Sequence, residues 1–268
     1  MLPKKCKEAS CFENSDCKHA RCAAHCTETH TIKEYHSVKS LPHNSKPHLG
    51  IEVEVEFPDR TSSARLRAFT SLEHDGSLTN GGEAKLCSTW PQILTRATNL
   101  VVGLKDRGAR ITQTCGLHVH LDTRNLPYGR VQSLFTFAKS TQIDWYNLIP
   151  PSRRRNAYVL PLNSYNQNDH YTWLNERGST VECRLHPGTL NPHKLSGWLH
   201  VMHALMTSAR DPQYTFPETF DSWTSDRCSS LAQQYISARL SGGGILKSQA
   251  SNQAGFFEEE TEEEEICA

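Results

Sequence analysis

The sequence contains no run of the roughly 18 to 20 consecutive apolar residues that a membrane-spanning helix requires, and Met1 to Asp16 has no apolar core of the kind a secretory leader carries. A cytoplasmic location without a membrane partner is the expectation. An excess of one charge sign is also missing. The 29 Lys and Arg offset 29 Asp and Glu, so average composition asks for neither a nucleic acid nor an anionic surface. No Gly-x-x-x-x-Gly-Lys-Ser/Thr loop and no Gly-x-Gly-x-x-Gly turn occur, which removes the two commonest glycine-rich phosphate cradles. No internal repeat is visible.

Among the ten cysteines, no pair has the two-residue spacing of a zinc knuckle. Five of them, Cys6, Cys11, Cys17, Cys22 and Cys26, nevertheless crowd into the first 26 residues, with His19, His25 and His30 interspersed. In a reducing compartment that crowding points to a structural Zn2+ site, with disulfides or a flexible tail as alternatives. Lys4, Lys5, Lys7, Lys18 and Arg21 would let the same segment touch an acidic partner, nucleic acid included. Cys87, Cys115, Cys183, Cys228 and Cys267 are scattered and read as packing residues. The acidic run from Glu258 to Glu265 reads as a flexible solubilising tail.

At 268 residues the chain has room for one domain of about 200 residues with small attachments. Pro42, Asn44, Ser45 and Pro47 mark a turn-rich hinge. The expected organisation is a Cys/His-rich extension over 1–41, a catalytic domain over 48–241 and an acidic tail over 242–268.

Ile51, Val53, Val55 and Phe57 alternate with Glu52, Glu54 and Glu56, the period of a strand with one apolar and one acidic face. Asp75-Gly76-Ser77 reads as a turn, and Gly81-Gly82 lead into a strand around 83–87. Apolar residues from Gln92 to Arg107 follow helical spacing, opened by Pro91 and closed by Gly108. Further strands are predicted over 116–122 and 180–185, with helices over 131–148, after Pro192, and between Ser225 and Leu240. Strands with one polar face and helices between them describe an α+β domain whose sheet carries a site.

Glu52, Glu54 and Glu56 would stand about 7 Å apart along one strand face. If that face is buried, a divalent cation or several basic residues must compensate it; if it is solvated, nothing need do so. His118 and His120 flank Val119, so both imidazoles project from one side of their strand, as metal ligands, as phosphate donors or as ordinary sheet residues. Gly116, at the entry to that strand, marks close backbone approach. Glu182 and Arg184 share a face as well, as a surface ion pair or as a metal ligand beside a phosphate clamp. Arg153, Arg154 and Arg155 form a basic loop that is by itself as consistent with a solvated patch.

Taken in order, Gly50-Ile51-Glu52-Val53-Glu54, Asp75-Gly76-Ser77-Leu78, Gly82-Glu83, Gly116-Leu117-His118-Val119-His120 and Glu182-Cys183-Arg184 resemble the amidoligase family, within the glutamine synthetase-like carboxylate–amine ligases. The resemblance spans about Gly50 to Trp198, and Gly188-Thr189 looks similar too. It implies a curved antiparallel sheet of the glutamine synthetase / glutamate–cysteine ligase catalytic type, holding ATP and Mg2+ or Mn2+ on its concave face. By that analogy Glu52, Glu54, His118 and Glu182 bind metal. Glu83 binds the metal nearer the amine and is the candidate base. His120 lies near the nucleotide or substrate, Arg184 on the γ-phosphate, and Arg155 among the working arginines; Ser77 matches a motif assigned to the cofactor end. The sequence departs from the family pattern after Glu83, where Ala84, Lys85, Leu86, Cys87 and Ser88 replace small apolar residues, a Ser and prolines.

The implied reaction is ATP-dependent amide or isopeptide formation through an acyl phosphate, joining a small-molecule acid to an amine or to a peptide or protein side chain. Two alternatives stand beside it: a guanidino or carboxylate kinase on the same sheet, and an inactive ligase-like scaffold serving as a Cys-rich metal-binding interaction protein.

Overall fold

The computed structural model describes residues 46–58, 72–73, 78, 80–162 and 171–242. The five clustered cysteines, Asp75, Ser77 and the acidic run lie outside the described residues.

The Glu/Ile/Val alternation forms β1 (His48–Glu56), which pairs on one side with β3 (Gly81–Thr89) and on the other with β4 (Gly116–Asp122). Beyond β3 lies the short β2 (Leu72–Glu73); beyond β4 lie β6 (Thr180–Pro187) and then β5 (Leu174–Glu176). All five pairings are antiparallel, and the architecture is α+β. A central strand must bury both faces or leave one wet. In β1, Ile51, Val53 and Val55 are fully buried among apolar residues.

Two helices cover the apolar face, α1 (Gln92–Asp106) and α5 (Pro192–Arg210), which also pack on each other. In α1 the buried residues Ile93, Ala97, Leu100, Val101 and Leu104 hold the 3.6-residue period. Gly108, at φ +81°, supplies the left-handed turn that follows. At the start of α5, the Asn191 side chain accepts from the backbone N–H of His193 and Lys194 ahead of a Pro in the first turn.

Two predicted helices are each broken in two. The span expected over 131–148 is α2 (Tyr128–Ser140) followed by α3 (Gln142–Asn147). Thr141 interrupts it: its hydroxyl donates back to Phe137 O at 2.7 Å and accepts from Trp145 Nε1 at 3.1 Å, a side-chain bond that competes with the helical ladder. A short α4 (Pro151–Arg154) follows. The helix expected between Ser225 and Leu240 is α6 (Phe220–Arg227) and α7 (Ser230–Leu240), divided where Ser229 turns extended and caps Ala232 N. Trp145 packs against Trp173, Trp198, Trp223 and Phe220, joining these helices to the sheet. Cys87, Cys115, Cys183 and Cys228 are buried and form no disulfide among the described residues. No described helix is long and apolar enough to cross a membrane.

Candidate active site

Antiparallel register sets the polar residues of four strands side by side. Glu52 faces Lys85 across one ladder and His118 across the other, Glu54 faces Glu83, and His120 faces Glu182. Side-chain alternation puts these residues on the face opposite Ile51 and Val53. That face is not a solvated one: Glu52, Glu54, His118, His120 and Glu182 are each at most 8 % exposed. Between Leu117↔His186 and Val119↔Cys183 the register slips by one, so that Arg184 and Leu185 oppose the single residue His118. Such a bulge re-aims side chains next to a site.

His118 is the centre of the cluster. Its Nδ1 lies 3.3 Å from Glu52 Oε2 and 3.4 Å from Glu182 Oε1, and its Nε2 lies 3.4 Å from Glu54 Oε1. His120 Nε2 stands 3.4 Å from Glu52 Oε1, while its Nδ1 meets Thr180 Oγ1 at 3.2 Å. Glu54 also accepts from the backbone N–H of Gly116. A Cβ at Gly116 would come within 2.6 Å of Arg153 Nη2 and 2.8 Å of His118 Nε2. The glycine is required by close packing of three site groups.

Like charges directly opposite one another, as with Glu54 and Glu83, are destabilising unless compensated. The compensation comes from the chain itself. Lys85 Nζ lies 2.7 Å from Glu83 Oε1 and 3.2 Å from Glu52 Oε1. Arg184 donates to Glu182 Oε1 at 2.7 Å, and Arg177 to Oε2 at 2.8 Å. Arg153, only 3 % exposed, donates from Nη2 to Arg184 O at 3.1 Å. Its Nε and Nη1, and Nε of Arg184, are buried without a hydrogen-bond partner, an arrangement that invites an oxyanion.

The electrostatics follow from these contacts. Burial pushes the Glu52 carboxyl up, but hydrogen bonds and charge from His118 and His120 outweigh it and hold the group well below the usual range. Glu182 behaves alike: burial opposes, yet His120, His118, Arg184 and Arg177 bring it down to about 2. Both acids are therefore ionised near neutral pH. Burial and the neighbouring Arg184 bring Arg153 down to about 10, against the pull of Glu54, so it stays charged.

Of the residues singled out in the sequence, Glu52, Glu54, Glu83, His118, His120, Glu182 and Arg184 come together. Arg155 does not: it is exposed just past α4, and Arg153 is the arginine buried against the site. Ser77 and the cysteines at 6, 11, 17, 22 and 26 fall outside the described residues. Sequence reasoning passed over Lys85, Arg177 and Thr180. The first was visible two residues after Glu83, as a departure from the expected pattern.

Ligand atoms of Glu52, Glu83 and His118, and again of Glu52, His120 and Glu182, lie within 4.8 Å of one another. Carboxylate oxygens with one imidazole fit a divalent ion such as Mg2+ or Mn2+. The unpartnered guanidinium nitrogens fit the phosphoryl or carboxylate oxygens that would accompany it. No protein-family model matches the chain, and no curated protein does.

Proposed function

We propose that the chain is an ATP- and divalent-cation-dependent carboxylate–amine ligase of amidoligase type, its sheet being the curved catalytic sheet of that group. One observation carries the reading: buried carboxylates and imidazoles converge around His118 beside two arginines with buried donor nitrogens that have no hydrogen-bond partner. A phosphoryl-transfer site needs that combination of acid ligands and guanidinium clamps.

When bound, ATP and its cations supply the phosphoryl group that turns a carboxylate into an acyl phosphate and neutralise the charge that develops. Glu52, Glu54, His118 and Glu182 would hold the cations. His120, grouped with Glu52 and Glu182, would serve the ion at the nucleotide or substrate edge. Arg184 and Arg153 orient the oxyanion and stabilise its charge in a setting from which water is excluded. Glu83, with the most exposed of the four carboxylate side chains at 16 %, takes the proton lost by the attacking amine, and phosphate leaves as the amide forms.

A second reading is favoured by the charge balance. Glu52, Glu54, Glu83 and Glu182 are matched by Lys85, Arg153, Arg177 and Arg184, as suits a scaffold that needs no ion.

The test is phosphate release by the purified full chain given ATP, Mg2+ and a mixture of amino acids and polyamines, with products identified by mass spectrometry. Release that requires both an acid and an amine, and that Glu182→Gln abolishes, is expected. Absence of ATP binding together with background phosphate favours the scaffold.

A further inference from the structure

Lys85 is one of the residues at which the chain departs from the ligase pattern, and its ammonium lies inside the site. It faces Glu52 directly in the β1–β3 register and shares its own strand face with Glu83. Its side chain is 9 % exposed, and Nζ bridges Glu83 Oε1 at 2.7 Å and Glu52 Oε1 at 3.2 Å. Those two carboxylates are two of the three members of the Glu52–Glu83–His118 ligand group.

We propose that Lys85 is a built-in cation: its ammonium holds the position between Glu52 and Glu83 that a divalent ion would otherwise take, so the chain binds one divalent ion fewer than its acidic residues could ligate. The proposal rests on the reading of this face as an ion-dependent ligase site.

The physical case is one of exclusion and charge. A divalent ion ligated by both oxygens would sit about 2.0 to 2.3 Å from each, leaving no room for an ammonium already in hydrogen-bonding contact with the same atoms. Swinging the ammonium away would break its contacts to Glu83 Oε1 and Glu52 Oε1 and set a second cation beside the incoming one, a like-charge repulsion at close range. The remaining group, Glu52, His120 and Glu182, shares only Glu52 with Lys85, so an ion there is compatible with the bridge. The exchange also alters the chemistry. An ammonium offers three directed N–H donors and a single charge, whereas a metal ion offers open coordination positions. At the Glu83 end the chain would thus present hydrogen bonds to an incoming group instead of a Lewis acid.

The experiment counts Mn2+ bound per full-length chain, by electron paramagnetic resonance of the free ion and by calorimetry, in the native protein and in Lys85→Met, with folding compared by circular dichroism. Lys85→Met is expected to bind one Mn2+ more than the native chain, and Lys85→Arg to keep the native number. Glu83→Gln, tested in the same way, is expected to leave the native number unchanged, because Glu83 holds the ammonium and not an ion. Equal numbers in the native chain and Lys85→Met, or loss of an ion in Glu83→Gln, overturn the proposal; the Glu83→Gln arm stands alone if Lys85→Met does not fold. The native count speaks to the ligase reading instead. Native protein that binds no Mn2+ with or without ATP defeats that reading, while the difference between native and Lys85→Met still decides the role of Lys85.

Discussion

Nε2 of His118 lies 3.4 Å from Oε1 of Glu54, on the opposite edge of the ring from the contacts to Glu52 and Glu182. One imidazole thus separates three carboxylates. His118→Ala is expected to weaken Mn2+ binding more than about tenfold and to lower thermal stability at pH 7, because Glu54 and Glu182 lose a shared partner. Calorimetric titration and a thermal melt check the two effects; unchanged Mn2+ affinity would remove His118 from the site.

Gly116→Ala tests the packing at the head of β4. The added methyl meets Arg153 and His118 well inside van der Waals contact, so a cost of about 1 to 3 kcal/mol is expected, together with loss of Mn2+ binding. Gly129→Ala, where the methyl meets nothing within 4 Å, serves as control and should be neutral or stabilising by up to about 1 kcal/mol. Urea denaturation of both variants provides the comparison.

Stability should fall steadily on acidification. His186 is fully buried, with Nδ1 donating to Pro187 O at 2.6 Å and Nε2 accepting from Tyr235 O–H at 2.9 Å. Burial, aided by Arg239, brings it down to about 3 from 6.5. The unfolded chain therefore binds the extra proton first, and stability drops between about pH 6.5 and 3 by up to about 1.4 kcal/mol per pH unit. Glu182 acts in the same direction: its stabilisation is complete above 4.5 and is lost as pH falls through about 2. Denaturation midpoints across this range should slope throughout and steepen below 4.5, and His186→Leu should flatten the upper part.

Arg130 closes the C-terminal end of α5, donating to Ser208 O, Ala209 O, Asp211 O and Tyr214 O at 2.6 to 3.0 Å. An ammonium cannot reproduce that planar fork. Both Arg130→Ala and Arg130→Lys are expected to lose at least about 2 kcal/mol, measured by chemical denaturation. Full rescue by Lys would mean that charge matters there and hydrogen-bond geometry does not.

What the sequence made legible was local. β4 runs over the predicted 116–122 because strict alternation after a glycine is a local signal. The divided helices were not legible, since the break at Thr141 rests on side-chain bonds to Phe137 O and Trp145 Nε1 that leave the apolar period intact, and the one at Ser229 on a cap that a helical period conceals. Lys85 was hidden for another reason. Its partner Glu52 is defined by cross-strand register, a quantity no single segment encodes. Arg153 and Arg155 differ only in how a four-residue helix points them, so one is buried and the other exposed without any difference in composition.

The double burial of β1 also bears on how this protein can change over generations. Its odd positions hold the hydrophobic core together and its even positions hold the acids, so the two sets of requirements are interleaved residue by residue along one segment. Inserting or deleting a single residue before Ile51 would exchange the two sets at a stroke, presenting glutamates to the helices and aliphatic groups to the arginines. Drift in this strand is thereby confined to like-for-like replacement, and the segments around it are where larger changes can be absorbed.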